Sequence, residues 1–397
     1  MGATTGEATE GRHASWLELF FDLVIVAAVA QLAHLLHDEF SLRDLFLFAV
    51  LYYAIWSVWV SFTLYANVSA QRTRQRAMLT AMFGIAVMAA AVPRAVHEQE
   101  QIFAIAYVAC RLLAAASWRG TGAVLTSWPA AQAGAGLVPW VVSIWVDAPA
   151  RYWLWGIGVL ADVVVSALQS RDPGRTFARY KDRADEMKEK YADRPDQLRR
   201  VPEMVEARLD TSHLGERLGL FVIIVLGEAV AQVVNVAAGA DWSSTLWWDV
   251  LAGFGLLVCL WWLTLEYGST GSTRYGDLPP RVSLPTHYVL TAGIVAMAAG
   301  LGASAEAVDE ALPTHVRWLL CGGAIAYFAT RAVLAAFSGA GWRWQLAFSV
   351  PGVVVPALVG AFGAGWRAFA VTGVLLLTAF WQTRHQQLAR RTAIRLG

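Results

Sequence analysis

WLELFFDLVIVAAVAQLAHLL, residues 16–36, is the stretch whose reading decides the fold. A helix crosses the hydrocarbon core of a bilayer with about 20 predominantly apolar residues, and this run has that length. It also carries two acids, Glu18 and Asp22, where a purely structural span would carry none. Its partner in the second half is HLGERLGLFVIIVLGEAV, residues 213–230, with Glu216, Arg217 and Glu228 in an equally apolar setting.

Moving the same ruler outward gives twelve predicted spans, at about 16–36, 45–66, 77–93, 101–117, 124–146, 152–170, 214–236, 246–267, 284–303, 316–336, 344–362 and 368–383. Composition agrees. Apolar residues make up 57% of the 397 and charged residues 15%, with a mean hydropathy of +0.47, against roughly 45–50% and 25% for a soluble domain. The expected fold is therefore an all-α polytopic integral membrane protein. A net charge of +1 leaves no electrostatic footprint for nucleic acid. Cys110, Cys259 and Cys321 lie in apolar runs without metal or disulfide spacing, and no cofactor is expected.

Short loops rich in Lys and Arg stay cytoplasmic. With the N-terminus inside, 23 of the 31 basic residues fall in inner segments, five in outer segments and three in helices. Both termini are thus expected in the cytoplasm, in a multi-pass protein of the cell (inner or plasma) membrane. The first fifteen residues contain Glu7 and Glu10 and lack the basic start of a cleavable signal.

The chain also echoes itself. Leu19, Phe20, Val24 and Ala28–Gln31 match Leu220, Phe221, Val225 and Ala229–Gln232, and AIAYVACR, ending at Arg111, matches AIAYFATR, ending at Arg331. Weaker matches in the same order, such as Trp59 with Trp261 and GIAVMAA with GIVAMAA, suggest two tandem six-helix repeats. Six is even, so both repeats should face the same way. The expected organisation is a tail at 1–15, a first repeat at 16–170, a charged linker at 171–213, a second repeat at 214–383 and a basic tail at 384–397. In the linker, Phe177, Tyr180, Ala184, Met187 and Tyr191 share one helical face, so a cytoplasmic amphipathic helix is expected to lie on the bundle.

Charges inside the bilayer need a partner, a cavity or a function, since each costs about 2.5–3.5 kcal/mol to insert. Glu18 and Asp22 share one face of the first helix, Glu228 lies deep in the seventh span, and Arg111 and Arg331 each follow a tyrosine, Tyr107 and Tyr327, by four residues. The simplest arrangement pairs these arginines with those carboxylates. Two readings stay open: fixed interhelical ion pairs, or a solute or ion pathway lined by Glu18, Asp22, Tyr107, Arg111, Glu216, Glu228, Tyr327 and Arg331. Superposing the repeats sets Asp22 on Ile223 and Glu228 on Ala27, so any site is asymmetric. His34 and His37 with Asp38 and Glu39 suit an interfacial cap better than a metal, and GSTGST (268–273) lacks the lysine of a phosphate loop.

The ELFFDL run (Glu18–Leu23), the ERxGLFxIIxLGE run (Glu216–Glu228) and the AYxxxR pattern ending at Arg111 resemble the low temperature requirement protein A (LtrA) family of bacterial membrane proteins. The resemblance implies a multi-pass membrane protein and no particular chemistry. FFD at Phe20–Asp22 is also similar to the FSD motif of lysosomal potassium channels, with Phe21 in place of serine and no matching motif in the seventh span. The leading expectation is a transporter or channel for a small solute or ion, with membrane lipid around it and its oligomeric state open, a homodimer being one option. The alternatives are an intramembrane enzyme acting on a lipid or lipid-linked substrate, or a membrane sensor or scaffold whose output is the linker.

Overall fold

The computed structural model describes residues 14–36, 41–69, 75–94, 98–132, 134–199, 201–266, 278–307, 310–337, 339 and 341–396. His37, Asp38, Glu39 and the GSTGST turn lie outside them, as does most of the N-terminal tail.

Among the described residues the regular structure is helical apart from one two-stranded parallel contact and an isolated antiparallel bridge between Ala311 and Arg367. Ser15 opens α1 (Trp16–His34) with a capping box whose return partner is Glu18. There follow α2 (Leu42–Ser69), α3 (Gln75–Ala91) and α4 (Glu100–Arg119), then short α5 (Leu137–Val142) and α6 (Ala150–Gln169). The linker holds α7 (Pro173–Lys190) and α8 (Pro195–Leu198). The second half contains α9 (Thr211–Gly239), α10 (Ser244–Trp261, extended by a π turn to Glu266), α11 (Pro280–Glu306), α12 (Thr314–Phe337), α13 (Trp342–Phe362) and α14 (Ala368–Leu396). Among the described residues, ten helices are long and apolar enough to cross a membrane: α1–α4, α6 and α9–α13.

The count departs from the expected twelve at two places. Among the described residues of 123–146, where one span is expected at 124–146, there is no long helix but β1 (Ala123–Val124), a 3-10 turn at Pro129–Ala131, α5 and a second 3-10 turn at Ser143–Trp145. Pro129, Pro139 and the glycines at 134 and 136 explain the break, because proline removes a helix donor and glycine weakens the helix. The segment nevertheless lies along its neighbours from end to end. Ala130 meets Arg111 of α4, Gly136 meets Asp162 of α6, and Ile144 accepts from Gln101 near the start of α4. Helix α14 packs against α10, but its polar second half leaves it outside the ten.

In each half the third helix runs between the first and the fourth: α3 between α1 and α4, and α11 between α9 and α12. The halves meet through α1 on α9 and through α2 and α11, the two most enclosed helices. Without a hydrophobic force between helices in lipid, close approach depends on small side chains. Gly293 of α11 and Gly323 of α12 supply it. A Cβ at Gly323 would stand 2.6 Å from the Gly293 carbonyl, and one at Gly293 2.8 Å from the Gly323 carbonyl. Gly322, one residue away, faces open space. Gly323→Ala should therefore destabilise the protein by about 1–3 kcal/mol through overpacking, while Gly322→Ala leaves thermal unfolding in detergent unchanged or raised; equal behaviour of the two would contradict this packing.

Candidate functional site: a charged joint and a linker-side cavity

Helices α1 and α9 run parallel, and their first turns carry complementary charges at the same four-residue spacing. Glu18 faces His213, with Oε1 3.1 Å from Nε2, and Asp22 faces Arg217, whose Nη2 donates to Oδ1 at 2.7 Å. Arg217 Nη1 also lies 3.7 Å from Glu18 Oε1. Trp59 of α2 donates its indole N–H to the same Asp22 oxygen at 2.7 Å. The second Glu18 oxygen takes the Ser15 amide and hydroxyl, each at 2.8 Å, so this acid both caps its helix and joins the two halves. The Arg217 side chain is wholly buried, yet its Nε and Nη1 make no hydrogen bond, nor does Asp22 Oδ2.

Behind this network stands an aromatic column. Trp59 packs on Phe221 and stacks on His287 of α11, with interplanar angles of 50° and 17°. The Trp56 indole N–H reaches His287 Nδ1 at 3.1 Å, so Nδ1 is an acceptor and Nε2 bears the proton that goes to the Leu218 carbonyl.

The arginines expected to pair with Asp22 and Glu228 do not. Arg111 lies 3.6 Å from Asp162 of α6 and donates to Ser61 Oγ and the Ala130 carbonyl. Arg331 donates to the Leu263 carbonyl at the π turn and lies over the Tyr327 ring. Arg217, nearer Asp22 along a parallel helix, takes the partner that depth alone assigned to them. Glu228 accepts from Gln232 one turn on, at 2.7 Å, and Glu216 is a half-exposed neighbour of His213 at 4.0 Å. The Tyr107 hydroxyl is 3.5 Å from Ser57, and that of Tyr327 is 2.6 Å from Thr264. The eight expected residues thus fall into separate clusters. His213, Arg217, Trp59 and Asp162 are functional candidates outside the expected pathway, although Arg217 and Asp162 count among the ionisable residues of the apolar spans. The signal for the first two was present: His213 and Arg217 repeat the spacing of Glu18 and Asp22.

Arg111 also borders a cavity of about 800 Å³ on the linker side. The end of α4, the broken 123–137 segment and the linker wall it, with Tyr180, Met187 and Tyr191 from the expected amphipathic face. That face borders the cavity opposite Leu112, Ala115 and Trp118 of α4, and burial there pushes the Tyr180 phenol above its ordinary range. The linker is held by β2 (Val205–Glu206) pairing with β1 and by Asn67, which bonds the Asp210 backbone in both directions. Irregular backbone in a membrane protein is tolerated where the chain is buried in protein or lines a cavity, and this segment does both.

These features define a polytopic α-helical membrane protein with buried ion pairs and a broken segment between α4 and α6. The family described as bacterial low temperature requirement A protein (LtrA) matches residues 13–380, and the chain belongs to it. It is 25% identical, over 98% of its length and 93% of the relative's, to an uncharacterized protein of Rhizobium meliloti (strain 1021). No solved structure matches it significantly.

Removing one member of a buried pair leaves the other charge uncompensated, at a cost of about 3–5 kcal/mol. Arg217→Met should cost that much, measured by thermal unfolding, and Asp22→Asn in the same chain should recover part of it. Additive losses in the double variant would mean that the two side chains are not coupled.

Proposed function

We propose that this LtrA-family protein moves a small solute or ion across the inner (plasma) membrane, with both termini cytoplasmic. The observation that carries the reading is the α1–α9 charge network. A joint between two halves made of apolar side chains would be at least as stable as one made of buried ions, so stability alone does not account for Glu18, Asp22, His213 and Arg217. A charged joint can instead be opened by water or a competing ion and then reform, which is what gating between halves requires. Glu18, Asp22 and Glu216 stand at this joint in the reading, and Tyr107, Arg111, Glu228, Tyr327 and Arg331 line the path beyond it.

Twelve crossings in two same-facing repeats fit the reading. The broken 123–146 segment supplies the fifth crossing and α14 the twelfth. The parallel α1 and α9 support a common orientation, and so do the matching arginine contacts: Arg111 reaches Ser61 and Arg331 reaches Leu263, each two residues beyond the paired tryptophans Trp59 and Trp261. The basic bias of the loops supports the cytoplasmic termini.

Purified protein in liposomes should carry current or uptake above protein-free vesicles for at least one of H⁺, Na⁺, K⁺, Cl⁻ or a small carboxylate, recorded on solid-supported membranes. Arg217→Lys keeps the charge but loses the planar fork that spans both acids, and should lower that flux about tenfold or more while the protein remains monodisperse. Absence of flux for every probe, or full flux in Arg217→Lys, overturns the proposal. For the topology, a C-terminal GFP fusion should fluoresce and a C-terminal alkaline phosphatase fusion should be inactive; the opposite pair of results places that terminus outside.

A further inference from the structure

Among the described residues, the lining of the linker-side cavity includes two charged side chains, Arg111 and Arg119, and no carboxylate. Asp162 lies behind Arg111 and pairs with it, whereas Arg119, exposed at the rim, gives its Nε–H to the Ala115 carbonyl and has no ion pair among the described residues. Only two of the five Arg111 N–H groups are spent in hydrogen bonds, on Ser61 and Ala130. Beside it Gln132, 8% exposed, lines the cavity with an Nε2 that has no hydrogen-bond partner. An unpartnered buried donor costs about 1–3 kcal/mol, so its retention asks for an acceptor. Glycine at 134 permits the approach, because a Cβ there would collide with Arg111 Nη2. Elsewhere the wall is largely apolar, with Leu112, Trp118, Leu137, Met187 and Val201. A volume of about 800 Å³ is in the range of pockets that enclose a drug-sized molecule.

We propose that this cavity binds a small amphipathic monoanion, with its carboxylate or phosphate head on Gln132 Nε2 and the guanidinium groups of Arg111 and Arg119 and its apolar body between α4 and the linker. A donor-only pole suits an acceptor-only head, and a single positive charge without an ion pair among the described residues suits a single negative one. The inference deepens the transport reading by naming a substrate class, and it rests on that reading for the ligand's fate and for the side of the membrane from which it enters. Such an anion has two sources, the cytosol or the inner leaflet.

The test is binding by the full-length protein in phosphatidylcholine nanodiscs, followed by calorimetry and thermal unfolding. Octanoate serves as the soluble probe and oleate, preloaded in the disc, as the membrane probe. Octanol and acetate test the two halves of the chemistry. Saturable binding of octanoate assigns a cytosolic source, and saturation by oleate alone assigns the leaflet; either supports the proposal. Octanol and acetate should bind at least about tenfold more weakly, as should octanoate or oleate to Gln132→Leu and Arg119→Gln, the loss expected for one charge-assisted hydrogen bond. Both variants avoid the Arg111–Asp162 pair, so folding is retained, and unchanged thermal unfolding without ligand checks it. No binding of either anion, equal binding of octanol, or unchanged binding in both variants overturns the inference. Binding without flux leaves this site standing and removes the transport reading; flux without anion binding does the reverse.

Discussion

A guanidinium that cannot reach water must be met by a carboxylate or by carbonyl oxygens, and the arrangement of this protein depends on how that demand is met for Arg217. Its side chain is wholly enclosed, its hydrogen-bonded counter-charge is on the other half of the chain, and the register that brings them together also brings His213 to Glu18. Two contacts in step fix α1 and α9 as parallel neighbours. Trp59 and His287 then pack where the network leaves room, and through them α2 and α11 become the centre of the bundle.

The second arginine pair obeys the same rule with a different result. Arg111 needs oxygen atoms deep among α2, α4 and α6, and a regular helix at 124–146 would spend its carbonyls on itself. Broken by proline and glycine, the segment turns the Ala130 carbonyl to Arg111 and the Gly136 amide to Asp162. What the helix loses in internal hydrogen bonds is recovered at the pair, and the space left by the missing turns becomes the cavity that the linker closes.

Much of this was legible in the sequence. Apolar runs of membrane length give most of the helices, because backbone satisfaction in lipid leaves few alternatives. The acids and arginines at depth stood out for the same reason, and the motif runs around Glu18 and Glu228 pointed to the family. Partners were harder to read. Depth along a helix is a one-dimensional quantity, whereas pairing depends on which helix lies beside which and on rotation about each axis. Asp22 was therefore matched with Arg111 and Arg331 when Arg217 stands against it. Residue 228 looked like the deepest functional acid, yet its neighbour is its own helix's Gln232.

By itself the sequence determined that the chain is a helical membrane protein of the LtrA family with ionisable groups held inside its spans, since hydropathy, length and local motifs are properties of neighbouring residues. Only the tertiary structure decided that these groups separate into a joint between the halves, an arginine–aspartate pair beside a broken segment, and a cavity under the linker. Those depend on contacts between residues up to 195 positions apart, where helix rotation and close backbone approach, not composition, select the partner.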